Sequence, residues 1–154
     1  MAIHLHAAAA VLAAAFLAAC AQKPAPAAPA ARAPAASELF PSRWIVQEIG
    51  GLAVVAGSAV TLVLQADGAI SGSAGCNRYL GQAKLDGDRL AIAPLATTRM
   101  ACSPAVMDQE NRYLKALGKA ERLALDGAGV LSLFSAGAAG PTRFVPDPAA
   151  PARP

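Results

Sequence analysis

The chain has 154 residues, of which 55% are hydrophobic, 15% charged and 5% aromatic, with the alanine concentrated near the N-terminus. Without its alanine- and proline-rich ends it is one small domain, which excludes a multidomain enzyme and a polytopic membrane protein. Thirteen Lys+Arg stand against ten Asp+Glu; with Lys23, Arg32, Arg153 and Asp147 set aside as tail residues the balance is ten against nine, so nucleic acid is not an expected partner.

Residues 7–18, AAAAVLAAAFLA, would rise about 18 Å as a helix, short of the ~30 Å hydrocarbon core of a membrane. That suits the apolar region of a signal peptide over residues 1–19. The run ends in Leu17-Ala18-Ala19-Cys20, which resembles a bacterial lipobox. The resemblance implies cleavage before Cys20, lipidation of its thiol and a lipid anchor in the membrane. The n-region MAIHLH departs from the usual pattern in lacking Lys and Arg. Ala21 follows Cys20 where an Asp would favour inner-membrane retention, so an outer-membrane lipoprotein facing the periplasm is expected. Both histidines, His4 and His6, lie in the segment to be removed. The mature protein would then carry no Ser-His-Asp or Cys-His catalysis and no histidine-ligated zinc. Residues 21–36 hold nine Ala and four Pro, so residues 20–37 read as a lipidated Cys and an extended tether. The domain is expected over residues 38–145, followed by a Pro-rich disordered tail over 146–154.

Within the domain the first strand reads Trp44 to Ile49, closed by Gly50-Gly51. Ala59 to Gln65 alternates, with Val60, Leu62 and Leu64 on one face. Asp67-Gly68 makes a turn into Ala69–Ala74, and Asp86-Gly87 joins Tyr79–Leu85 to Arg89–Ala93. A third Asp-Gly turn, Asp126-Gly127, is expected between Leu123–Leu125 and Val130–Phe134, and Thr142–Val145 is a last strand. One helix interrupts the series. Ser103 is a candidate N-cap, Pro104 a candidate N1 residue and Gly118 a candidate stop. Val106, Glu110, Tyr113, Leu114 and Leu117 share its apolar face. The fold class is therefore α+β: an antiparallel, curved or barrel-like meander with one amphipathic helix inserted between strands.

With Cys20 acylated, Cys76 and Cys102 remain, and an oxidising compartment makes a disulfide the default. A reactive cysteine is the alternative, without a histidine or CxxC spacing to activate it.

Ser71 to Gly81, SGSAGCNRYLG, resembles the G-x-x-G-C-N-x-[FY]-x-G signature of the META domain (HslJ-like) family. Thr97 to Cys102, TTRMAC, and Met107 to Glu110, MDQE, resemble its following T-x-[MK]-[AM]-C and M-x-x-E segments, and Trp44 fits the same pattern. The resemblance covers about residues 40–144. It implies a small α+β domain of bacterial envelope lipoproteins, a barrel-like antiparallel sheet with one helix, no established enzymatic activity, and an association with stress and drug tolerance. The motif residues are Trp44, Gly72, Gly75, Asn77, Arg78, Gly81, Thr98, Arg99, Met100 and Glu110. High alanine content departs from typical members and bears on core packing.

Elementary chemistry assigns each of these a structural role. Gly72, Gly75 and Gly81 allow bulges or positive φ. Asn77 takes a left-handed turn or ties its loop, and Thr97 and Thr98 bond the backbone. Glu110 lies on an apolar face and needs a partner; Arg78 and Arg99 are the candidates, with Arg99 preferred. Four functions compete: a non-catalytic envelope lipoprotein binding a partner protein or an amphiphile, a carrier of apolar ligands in a barrel mouth, an inhibitor of a secreted hydrolase, and an enzyme. The first is preferred, as a monomer with no cofactor and no metal. An open apolar cavity would favour the carrier, and a rigid charged loop the inhibitor.

Overall fold

Alternation builds the wall of the domain. In the strand Thr61–Leu64, Leu62 and Leu64 are buried while Thr61 and Val63 turn outward, the period of two that a one-sided sheet requires. The computed structural model describes residues 30–40 and 42–149. Its elements in chain order are α1 (Ala36–Leu39), β1 (Ser42–Ile49), β2 (Leu52–Ala53), β3 (Thr61–Leu64), β4 (Ala69–Ser73), β5 (Arg78–Asp86), β6 (Arg89–Ile92), β7 (Ala96–Thr97), α2 (Pro104–Gly118), β8 (Ala120–Leu125), β9 (Leu131–Ser135) and β10 (Thr142–Pro146). All pairings are antiparallel. The order β1-β3-β4-β5-β6-β8-β9-β10 closes because β10 pairs with β1. The result is an eight-stranded barrel, with β2 appended to β1 and β7 to β5. Closure leaves the long strands no free edge. The narrowest seam joins β6 to β8 through the single register pair Arg89↔Arg122, reinforced by the Leu123 amide donating to the Asp88 carbonyl at 2.8 Å.

The expected meander with one inserted helix is the fold observed, and α2 stands between β7 and β8. Ser103 occupies the N-cap position with Pro104 following, but its side chain makes no capping bond. The helix buries Gln109, Glu110, Tyr113, Ala116 and Leu117 and packs against β1 and β9, covering the mouth where β1 and β9 end and β8 begins.

The opposite mouth is closed by chain that runs from the expected tether into the first residues of the expected domain. Arg32 and Leu125 exchange two backbone hydrogen bonds, of 3.0 and 2.8 Å. Three residues of extended chain and α1 then carry Leu39 into the core, fully buried, where its carbonyl accepts the Ser42 hydroxyl. At the C-terminal side Pro146 belongs to β10, and Asp147 bonds the Arg43 carbonyl and guanidinium. Pairing thus extends past both expected bounds, 38 and 145. Trp44, Tyr113, Phe144, Ile49 and Ile70 fill the barrel with leucines from β3, β6, β8 and β9. Of the many alanines, Ala74, Ala116 and Ala124 are buried, so the alanine-rich composition leaves the core built of large side chains.

Candidate functional site

The motif residues gather at the mouth covered by α2. Gly75 lies in the β4–β5 connection at φ +109°, a conformation open to glycine and strained for other residues. That turn brings Cys76 and Asn77 beneath the start of α2. Cys76 is bonded to Cys102, with Cα atoms 6.0 Å apart, so the staple fixes the entry of the helix to the barrel. The expected disulfide is present. Such a bond persists in an oxidising space and fits an extracytoplasmic location.

Asn77 is 2% exposed and every polar group of its side chain is engaged. Its Nδ2 donates to Glu110 Oε1 at 2.8 Å and to the Met100 carbonyl at 3.1 Å. Its Oδ1 accepts from the Thr98 hydroxyl at 2.8 Å and the Met100 amide at 2.7 Å. Its backbone amide donates to Glu110 Oε2 at 2.6 Å. Two donors and two lone pairs are the full capacity of a carboxamide. Thr98 extends the knot by accepting the Arg78 amide at 3.1 Å.

The expected Arg99–Glu110 ion pair does not form. The ion pairs among the described residues are Arg32–Glu38 and Arg43–Asp147, and Arg78 and Arg99 are exposed. Both Glu110 oxygens are taken by Asn77, whose neutral amide satisfies the carboxylate without a second buried charge. Met100 is exposed as well, at 63%; its backbone, not its side chain, serves the knot.

Gly72 and Gly81 have neither positive φ nor a bulge; close approach explains them. A Cβ at Gly72 would collide with the Thr61 carbonyl and come within 2.8 Å of the Tyr79 hydroxyl, and one at Gly81 would come within 2.6 Å of Leu95 Cδ2.

Two arrangements escaped the sequence reading. Gln109, fully buried, accepts the Val55 amide at 2.5 Å and donates to Ser58 Oγ at 2.9 Å, tying the β2–β3 loop to α2. Its spacing from Val106 and Tyr113 along the helix was the available signal. Tyr79 and Tyr113 meet edge-on with ring centroids 5.8 Å apart and hydroxyls 2.9 Å apart. The Tyr79 hydroxyl also donates to the Thr61 carbonyl at 2.8 Å. Burial pushes both phenols above their ordinary pKa of 10.0 because the phenolate would lose its hydration. They are neutral hydrogen-bonding groups at physiological pH.

Chemically, these groups tie three loops to one helix. Among the described residues no cluster of three or more His, Cys, Asp or Glu could hold a metal ion, and no helix is long and apolar enough to cross a membrane. Cys20 and the signal-like run lie outside the described residues. The surface carries concavities. One, of about 570 Å³, lies on the outer wall between Arg43, Leu80 and Thr97. Another, of about 230 Å³, lies between α2, the end of β1 and the β9–β10 loop.

The barrel resembles the NMR structure of a protein from Burkholderia xenovorans, 28% identical, with a TM-score of 0.64 over 82% of this chain and 96% of that one. A second NMR structure is 26% identical, with a TM-score of 0.60 over 73% of this chain and 94% of that one. No curated protein matches the chain. Residues 37–147 match the META domain, a span that includes the disulfide, the Asn77–Glu110 knot and all of α2, and the chain belongs to the META domain family.

Proposed function

We propose that this protein is a non-enzymatic lipoprotein of the bacterial envelope. In this reading it is anchored to the outer membrane through Cys20, holds its barrel in the periplasm as a monomer, and serves envelope homeostasis under stress or drug exposure by binding a partner or an amphiphile. The observation that carries the reading is the Asn77–Glu110 knot. The polar residues that mark the family bond one another inside the fold, which supports a scaffold role for them and leaves binding to the outer surface. A carrier with its ligand inside the barrel has little support, because Trp44, Tyr113 and Phe144 occupy the interior and both mouths are covered.

Cell fractionation of a deletion strain complemented with wild type or Cys20→Ala tests the anchor, with survival under envelope stress measured in parallel. Wild type should sediment with outer membrane and restore survival, whereas the variant should remain unprocessed or soluble and restore less. A Cys20→Ala protein that is still processed and membrane-bound would refute the proposal.

A further inference from the structure

Helix α2 carries Arg112, Lys115 and Lys119 along one exposed side, Lys119 at its C-cap. Steps of three and four residues make them surface neighbours, and all three line the groove of about 230 Å³. The rest of the groove is apolar and smooth: Ile49 and Leu52 from the β1–β2 hairpin, Ala116 from the helix, and the Ala-Gly-Ala-Ala run 136–139. Leu52 is 56% exposed there. No carboxylate lines the groove, and neither ion pair among the described residues involves its cations. The macrodipole of α2 accounts for positive charge at Lys115 and Lys119 but does not reach Arg112, almost two turns from the helix end. Ser135, the hydroxyl on the wall, already donates to the Ala116 carbonyl at 2.8 Å.

We infer that this groove binds single-chain anionic amphiphiles, the chain lying on Leu52, Ala116 and the loop alanines and the head group meeting Arg112, Lys115 and Lys119. The inference rests on the reading of a non-catalytic binding domain and adds the site and the ligand class. The three cations concentrate an anionic head and repel a cationic one. A smooth floor of methyl groups suits methylenes, which need no directional partner. The volume falls below the ~300–1,000 Å³ of sites that enclose drug-sized ligands, so it takes the head-proximal part of one chain and not a diacyl pair. Carboxylate and phosphate heads share the chemistry that the cations recognise.

The test uses the full chain purified in dodecyl maltoside, whose neutral head and identical tail provide the internal control. Dodecanoate, dodecyl phosphate and dodecyltrimethylammonium are titrated in turn, and binding is read from the alanine methyl NMR signals of Ala116 and residues 136–139. One or both anionic probes should shift these signals saturably while the cationic probe does not; dodecanoate alone points to fatty acids, and dodecyl phosphate to phosphate heads. Replacing Arg112, Lys115 and Lys119 together with Gln should raise Kd about tenfold or more. Ala138→Phe, which fills the groove and leaves the cations in place, should also abolish the shifts. Equal response to all three heads, unchanged binding by Ala138→Phe, or shifts seen only with an acidic amphipathic peptide would overturn the inference. Absence of saturable groove binding in the wild-type chain, with intact Cys20-dependent anchoring and stress survival, would reject this site and leave the broader function standing.

Discussion

Asn77 holds both oxygens of Glu110, one through its backbone amide at 2.6 Å and one through its side chain at 2.8 Å, across 33 residues of sequence. Asn77→Ala keeps the backbone bond to Oε2 but leaves Oε1 unmet, and Glu110→Ala leaves both Asn77 donors without the carboxylate, in a buried site where an unmet polar group costs about 1–3 kcal/mol and a charged one more. Asn77→Ala and Glu110→Ala should each cost about 3 kcal/mol, with a double mutant much better than their sum. Asn77→Asp should be worse than Asn77→Ala at neutral pH, because it faces one carboxylate with another. Arg99→Ala should stay within about 0.5 kcal/mol of wild type. Urea denaturation measures all five proteins; additive losses at 77 and 110, or a large loss at 99, would contradict the assignment.

The Cys76–Cys102 bridge closes a loop with a sequence separation of 26. The chain-entropy relation gives about 3.5 kcal/mol for a loop of this size, within the usual 2–5 kcal/mol for small exported domains. Reduction, or replacement of both cysteines by Ala, should lower the urea midpoint accordingly without changing the barrel's far-UV spectrum below the transition. Equal midpoints with and without reductant would show that the staple constrains little.

Gly72 and Gly81 face each other's strands yet should respond differently to Ala. At Gly72 the obstacle is the backbone of Thr61 together with the Tyr79 hydroxyl, so the β3–β4 pairing has to shift. At Gly81 it is the far end of the flexible Leu95 side chain. Overpacking typically costs about 1–3 kcal/mol, and Gly72→Ala should sit at or above the top of that range while Gly81→Ala sits near the bottom. Thermal melts that rank the two in the opposite order would contradict the reading.

The chain contains two tyrosines, and both belong to the buried pair, so tyrosinate absorbance reports on that pair alone. Their folded-state pKa values lie above the unfolded value of 10.0. The stability they contribute is therefore fully present below pH 10 and is lost as the pH rises above it toward the folded values, because the unfolded chain then binds fewer protons. Tyrosinate should appear together with the loss of circular dichroism, as one cooperative transition. Ionisation near pH 10 in a still-folded protein would contradict the burial of the pair.

Periodicity and turn chemistry carried most of the barrel. Val60, Leu62 and Leu64 face inward as their alternation requires, and Gly68 and Gly87 take positive φ in their hairpins. The third turn used a different glycine. Asp126 Oδ1 accepts the amides of Ala128 and Val130 at 2.9 Å each, lengthening the loop so that Gly129, not Gly127, takes φ +81°. Two glycines two residues apart fit either register locally, and the carboxylate decides between them. Glu110 was legible as a buried acid in want of a partner, but its partner was not. A rule that matches opposite charges along the chain selects Arg99, whereas the approach of the β4–β5 loop to α2 selects a neutral amide. Leu39 was illegible for a related reason: four helical residues after an alanine–proline run carry no periodic signal, and only the shape of the open mouth gives that leucine a place.

The backbone pairing of Arg32 with Leu125 gives the barrel a polarity. The N-terminal strand of chain leaves at the mouth filled by Leu39, while α2, the disulfide and the cationic groove crowd the other mouth, a barrel length away. With the anchor proposed at Cys20, any pull from the membrane enters through two hydrogen bonds at the turn end of the β8–β9 hairpin and reaches the Asn77 knot only after crossing the sheet. On the proposed reading, the mooring and the binding groove therefore sit at opposite mouths of the barrel.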